Sequence, residues 1–315
     1  MLGAAHKPGA MPLRPLGLGD MYDAAFRIIR FNPKATVGSA VLVAAVAMAI
    51  PVVITAVLTA TVNIGLDESG NPDEGTAVGV VGSVGSLLLG TVLGAFGTIL
   101  VTGMIAHVTA AAAIGRRLTL GEAWAATHGK RWRLVGLVLL LGLAYMVILA
   151  AYVVGWVAVV AVDSLGLTIL WGVVTVPLVI CFLAWFWVRV YYLPVPALML
   201  EPVGIFGALG RGFALTRKQF WRTFGIGVLT VLVGGVAGYV LALPFGIVGQ
   251  VGSLLVGAQY ALLVLVGTQA LSQVISSAFV TPFTSAVTSL QYLDQRMRKE
   301  AYDVELMQQA GITRW

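Results

Sequence analysis

Charged residues are scarce in this sequence: they fill only 10% of its 315 positions, where a soluble domain carries about a quarter. A water-facing surface cannot be built from so few, so lipid has to solvate most of the chain. Cysteine is scarcer still. The single thiol, Cys181, sits in an apolar run, which excludes an intrachain disulfide framework and a thiolate metal cluster. The three histidines are His6, His107 and His128, and no two have metal-ligand spacing. The long apolar runs contain no Asp or Glu, although ion-coupled carriers usually place a carboxylate there. Nothing in those runs could activate a serine, and no glycine loop has the form of a phosphate cradle. These absences point away from an enzyme, a metal or a bound cofactor, and they weaken the case for ion-coupled transport.

Apolar residues are plentiful, at 59%, with a mean hydropathy of +0.96. A helical membrane span needs about 20 of them in a row. Six runs qualify: 35–62, 79–113, 134–162, 167–193, 223–247 and 258–281. The fold class expected is an all-α integral membrane protein of six transmembrane helices, with amphipathic interfacial helices on its cytoplasmic side. Residues 1–33 form a cytoplasmic N-terminal segment, 34–282 the membrane domain, and 283–315 a cytoplasmic C-terminal helix and tail. The charged stretch before Lys34 lacks the apolar core and cleavage site of a signal peptide.

Charge placement sets the orientation. Lys and Arg are absent from 35–115, 134–188 and 223–295. They gather in the N-terminal segment (Arg27, Arg30, Lys34), in the link 114–133 (Arg116, Arg117, Lys130, Arg131, Arg133), in the link 201–222 (Arg211, Arg217, Lys218, Arg222) and in the C-terminal tail. Six spans put all four groups on one side, which the positive-inside rule makes cytoplasmic. Residues 63–77, rich in Asp and Glu, are then outside and 116–133 inside, with Ser69 and Thr127 as natural reporters. The basic groups form an interfacial collar suited to anionic headgroups. With a net charge of +6 the chain would suggest nucleic acid if it were soluble; flanking apolar runs, the charges point to lipid.

Three cytoplasmic stretches, starting at Gly19, Gly121 and Gly207, each run into a helical hairpin at intervals of roughly a hundred residues. They suggest three copies of an interfacial helix plus hairpin. In the first, Asp20, Asp23, Arg27, Arg30 and Lys34 fall within about 80° on a helix, with Met21, Tyr22, Ala25, Ile28 and Ile29 opposite. That is the pattern of a helix lying in the headgroup plane. Thr119 and Glu122 have capping-box spacing. Further on, Asp294 with Arg298 and Arg296 with Glu300 form i,i+4 pairs.

One charge lies inside a span. Arg189, set among Trp185, Trp187, Tyr191 and Tyr192, either snorkels to the interface or serves as an internal anchor or an anion site for a lipid phosphate. Its expected partners are helix-end carbonyls, Glu201 or a lipid phosphate, with Gln269 and Gln273 completing the shell if the last span is adjacent. That span carries a polar stripe of Gln269, Gln273, Ser276 and Thr284, flanked by Ser272 and Ser277. Such residues usually glue helices together in lipid; the other reading is the wall of a wet cavity. Gly90-x-x-x-Gly94 and Gly234-x-x-x-Gly238 have the small-residue spacing of helix contacts.

The opening Arg14-Pro15-Leu16-Gly17-Leu18-Gly19-Asp20-Met21-Tyr22-Asp23-Ala24-Ala25-Phe26-Arg27, with Asn32-Pro33-Lys34, resembles a bacterial family abundant in actinobacteria, the glycerophosphoryl diester phosphodiesterase membrane-domain family. Arg189, Pro194, Pro196 and the run Ala197 to Glu201 resemble a second signature. Pro282-Phe283 with Tyr292, Asp294, Arg296, Arg298 and Glu300 resembles a third. The resemblance covers nearly the whole chain and implies this topology in a bacterial plasma membrane. In some relatives a soluble catalytic barrel accompanies the membrane part. No barrel sequence occurs here, so no activity carries over.

The function expected is a non-catalytic scaffold or regulatory subunit of a membrane complex, associated with lipids and with a protein partner in the membrane. The alternative is a flippase-like carrier of a lipid or small amphiphile.

Overall fold

The computed structural model of the chain describes residues 9–61 and 74–311, and helix is the only regular structure among them. Six helices are long and apolar enough to cross a membrane: Lys34–Thr61, Gly79–Ala113, Arg131–Val160, Leu165–Leu200, Phe220–Leu255 and Gln259–Glu300. The chain is a multi-pass α-helical membrane protein, with spans where the apolar runs place them. Asp67, Glu68 and Asp73 lie outside the described residues.

In chain order, α1 (Leu18–Phe31) precedes the pair α2 (Ser39–Thr61) and α3 (Glu74–Ala113). Next, α4 (Leu120–Ala126) precedes α5 (Arg131–Val160) and α6 (Leu165–Phe186). The short helices α7 (Pro194–Leu200) and α8 (Ile205–Thr216) precede α9 (Phe220–Leu255) and α10 (Ala258–Glu300), and α11 (Tyr302–Gln309) follows. Wide π-type turns at Lys34–Gly38 and Trp187–Tyr191 interrupt the first and fourth spans. The fourth span is broken and redirected where Pro194 and Pro196 follow its π turn, since proline cannot supply the donor a continuing helix needs.

The long helix α10 is the central post and packs against α9, α2, α3 and α1. Small residues permit the close approaches. A Cβ on Gly238 would stand 2.6 Å from Ser276 and Val280, and one on Gly90 would stand 2.8 Å from Pro51. Both glycine motifs therefore sit at helix contacts, α9 on α10 and α3 on α2. The packing density is uneven. The buried core draws on Met21 and Ile28 of α1, Ile105 and Val108 of α3, Leu134 and Leu137 of α5, Leu198 of α7, and Phe283, Leu290 and Leu293 of α10. These positions lie at the basic ends of the long helices. Away from that end the hairpin α5–α6 stands apart: α6 has no buried residue, and the two helices meet where Trp171 covers Gly155 and Trp156 covers Gly172.

The first amphipathic stretch forms the helix expected of it, but its apolar face is buried in protein. Met21, Ala24, Ala25 and Ile28 are buried, and the Tyr22 and Phe26 rings pack edge-on and tilted against Phe283 of α10 at 5.4 Å each. The charged side chains Asp23, Arg27 and Arg30 remain outside, with Leu18 and Phe26 exposed beside them. The capping box forms at α4: Glu122 accepts from the Thr119 N–H at 2.7 Å and donates its own N–H to Thr119 Oγ1 at 3.3 Å. No break separates 282 from 283, since α10 runs through Pro282 to Glu300.

Thr127 is buried with its hydroxyl bonded to the Trp124 carbonyl, so the exposed neighbour His128 replaces it as a topology reporter. In a Cys181→Ser background, cysteine at Ser69 is expected to react with an impermeant maleimide on intact cells, and cysteine at His128 only after permeabilisation. The reverse labelling pattern would invert the orientation derived from the basic links.

Candidate functional site

Two charged clamps close the basic end. The first centres on Asp294, whose side chain is fully buried on α10. A lone buried carboxylate is prohibitively costly, so it must be paired and hydrogen-bonded. Three groups from distant parts of the chain supply this. The Leu16 N–H donates to Oδ1 at 2.7 Å, Arg222 from the first turn of α9 pairs with Oδ2, and Arg298 one turn along α10 donates at 3.0 Å. The same arginines donate to the Leu16 carbonyl, at 2.6 Å from Arg222 and 3.0 Å from Arg298. Both polar groups of the Leu16 backbone are thus satisfied, and the Leu16 side chain is fully buried. The clamp pins the N-terminal segment to α9 and α10.

The second clamp centres on Glu201, at the end of α7. Arg211 of α8 grips it through both fork nitrogens, Nε and Nη2, at 2.7 Å each, and reaches Glu300 at 2.6 Å. Arg296 pairs with Glu300 at 3.0 Å and approaches Glu201 at 3.4 Å. The Tyr292 hydroxyl donates to Glu201. Lys130 caps the end of α7, donating to the Met199 and Glu201 carbonyls at 2.8 and 2.7 Å. Burial pushes the Glu201 carboxyl up, but the bonds from Arg211 and Tyr292 and the charges of Arg211 and Arg296 outweigh it and hold it below its ordinary value. The same bonds to Glu201 and Glu300 push Arg211 further up. Burial lowers Lys130, helped by Arg133 and opposed by Glu201.

Of the protein partners expected for Arg189, only a helix-end carbonyl meets it. Glu201 is taken by Arg211, and Gln269 and Gln273 border cavities that Arg189 does not line. What Arg189 has is a helix-end carbonyl, Phe213 O at 3.5 Å, and the Phe213 ring at 5.0 Å. Its Nε is buried without a partner. The collar also divides. Lys130, Arg211 and Arg222 are bound into the clamps. Arg131 stacks on Trp124 at 3.8 Å and donates to its carbonyl at 2.6 Å. Arg27 pairs with Asp23 at 3.0 Å. Arg30, Lys34, Arg116, Arg133, Arg217 and Lys218 make no side-chain hydrogen bond or ion pair among the described residues.

Above the clamps the bundle opens. The polar stripe of α10 makes little glue: Ser272 reaches the Ala242 carbonyl at 3.4 Å, while Thr284 bonds within its own helix. Gln269 and Gln273 are exposed, and the nearest polar contact of Gln273 is Ser277 at 3.5 Å. Both line a cavity of about 790 Å³ between α2, α3, α5 and α10, which also takes in Thr91, Thr98 and Tyr191. Both also line a second cavity of about 530 Å³ on the α9 side. The stripe is a wall between two cavities rather than a seam. Among the described residues no group of three His, Cys, Asp or Glu could hold a metal ion.

Two expectations follow from the clamps. Asp294→Asn leaves two arginines and the Leu16 amide without their charge, which should cost on the order of 3 kcal/mol and free the segment before α1 for limited proteolysis. Arg189→Leu removes only a long bond and a ring contact, worth about 1 kcal/mol or less. Melting in detergent should therefore fall clearly for Asp294→Asn and barely for Arg189→Leu; equal losses would contradict this ranking. The pH dependence follows from Glu201. Its folded pKa lies below the ordinary 4.5, so its contribution is complete above that value and is lost as pH falls through the folded pKa. Melting temperature should hold steady from neutral pH to about 5 and then decline, with a shallower decline in Glu201→Gln.

No family model, curated protein or solved structure matches this chain.

Proposed function

We propose that this protein is a non-catalytic component of a bacterial plasma membrane that holds an amphiphilic molecule, a lipid or a compound of lipid-like build, in the groove beside α10. The observation that carries the reading is the pair Gln269 and Gln273, exposed in the apolar part of α10 without a cross-helix partner. An amide left unpaired in hydrocarbon costs a few kcal/mol, so a polar occupant is expected there. The groove volume, about 790 Å³, falls in the ordinary range of small-molecule sites. Its lining joins the amides to Met48, Leu87, Ile99 and Leu265, which suits a polar head with an apolar chain. A closed basic end under an open membrane half is the arrangement of a carrier shut on one side. This favours the carrier-like reading over the scaffold.

In this reading both termini and the basic links face the cytoplasm, α1, α4 and α8 lie at the inner leaflet, and the three units of short helix and hairpin are repeats of one plan. The resemblance to the glycerophosphoryl diester phosphodiesterase membrane domain supports the setting and leaves the occupant open. The scaffold reading keeps one observation in its favour, the hairpin α5–α6. Its α6 buries nothing within the chain and offers a membrane-embedded face to a protein partner.

Native mass spectrometry of the protein purified in mild detergent tests the choice. The wild type should carry an amphiphile that Gln269→Leu/Gln273→Leu loses, with melting unchanged or raised because two unpaired amides are gone. Equal retention by both proteins overturns the groove reading. A stoichiometric membrane protein crosslinked through α6, with no copurifying amphiphile, would put the scaffold in its place.

A further inference from the structure

We infer that a separate site at the basic rim, between the end of α1 and the link after α3, binds the phosphate of an anionic phospholipid. Arg27, Arg30 and Arg117 border one cavity of about 500 Å³, completed by Gly9, Ala10, Phe31 and Gly115. Among the described residues no carboxylate lines it. Asp23, one turn before Arg27 on α1, is bonded to it at 3.0 Å. Arg30 and Arg117 have no ion pair among the described residues. Arginines gathered without a counterion repel one another, and a phosphate that accepts from two planar forks relieves this.

The frame around them is fixed before any ligand arrives. Arg117 stacks on the Phe31 ring at 4.4 Å. The next residue, Leu118, donates its N–H to Asn32 Oδ1 at 3.1 Å, and Asn32 is the buried residue that ends α1. On the opposite wall the Ala10 N–H donates to the Ala112 carbonyl at 2.8 Å. Gly9 lies so close to the 112–115 turn that a Cβ there would stand 2.2 Å from Ala112 O. Arg117, stacked in this frame, loses little freedom on binding.

A second cavity, of about 850 Å³, identifies the rest of the ligand. It shares Phe31 and Arg117 with the first, so the two adjoin at that stacked pair. Its walls are mainly apolar, with Pro33, Leu42, Leu118 and Leu120, and Lys34 stands at its edge. Leu42 belongs to the first span and is 56% exposed, so the groove leads from the arginines onto the lipid-facing surface of α2. A soluble phosphate has no use for that extension, whereas an acyl chain fills it. The rim site shares with the groove beside α10 only the membrane setting, and none of its lining residues.

Binding to the purified full chain in detergent, read by native mass spectrometry, tests the inference. Phosphatidylglycerol should bind about tenfold or more tightly than phosphatidylcholine, and Arg30→Gln/Arg117→Gln should remove that preference. The Arg30→Lys/Arg117→Lys variant should recover it in part, because lysine supplies charge without the fork. Leu42→Trp, which blocks the apolar arm and leaves the arginines alone, should weaken phosphatidylglycerol several-fold. It covers the case in which the double variant fails to fold. Gln269→Leu/Gln273→Leu should leave the preference intact, which separates this site from the proposed function. Equal binding of the two lipids overturns the inference, as does a preference that survives Arg30→Gln/Arg117→Gln. Complete displacement of phosphatidylglycerol by millimolar inorganic phosphate, with no effect of Leu42→Trp, would also overturn it and leave a soluble-phosphate site.

Discussion

A buried carboxylate, Asp294, ties together three separate parts of the chain. It holds Leu16 of the N-terminal segment, Arg222 at the start of α9 and Arg298 on its own helix. In lipid, helices gain little from hydrophobic association with one another, because hydrocarbon chains are as apolar as leucine. Packing of small residues and polar bonds must then fix which helices are neighbours. The Asp294 and Glu201 clamps do this at one end of the bundle. Each of them satisfies its buried charge with several donors, which is the condition under which a buried ion pair does not destabilise.

The consequence is a molecule with two unlike halves. At the basic end, side chains from α1, α3, α5, α7 and α10 share one core, and six charged residues around Asp294 and Glu201 lock it. In the other half, glycine contacts hold α2 on α3 and α9 on α10, but the hairpin α5–α6 packs loosely and polar cavities remain beside Gln269 and Gln273. A rigid end with an open end is what a protein needs if it is to hold a lipid-like molecule without passing ions. The rim groove by Arg30 and Arg117 lies on the rigid end. Arg117 is held by the Phe31 ring and the following Leu118 N–H by Asn32, and none of these residues lines the cavities above.

Much of the architecture was legible in the sequence. Six apolar runs of sufficient length leave helices as the only way to satisfy their backbone in lipid; the end at 113 lies where glycine and charge return, whereas the fifth span runs on to Leu255, past the 247 at which its apolar run ends. The i,i+4 pairs Asp294–Arg298 and Arg296–Glu300 form at 3.0 Å each, because helix geometry alone brings them together. The Thr119–Glu122 box forms for the same reason. Arg189 finds the expected helix-end carbonyl, Phe213 O, but not the expected carboxylate. Its supposed partner Glu201 lies closer in sequence than Arg211 does to Glu300, yet the redirected chain after Pro194 gives Glu201 to Arg211.

The sequence by itself determined what is local: helix type and length, which end of each helix is basic, which turns are capped, and which side chains must avoid hydrocarbon. Local spacing and the cost of burying charge are enough for that. Tertiary structure alone decided the pairings at long separation. The amphipathic face of α1 reads equally well as a surface for headgroups or for protein, and only the neighbouring Phe283 of α10 settles it in favour of protein. The glutamines of α10 read equally well as glue or as a cavity wall, and only the distance of the surrounding helices leaves them without partners. Arg222 and Arg211 look like any other collar residue until the fold brings a carboxylate to each. Periodicity fixes the direction in which a side chain leaves its helix, but it carries no information about what waits there.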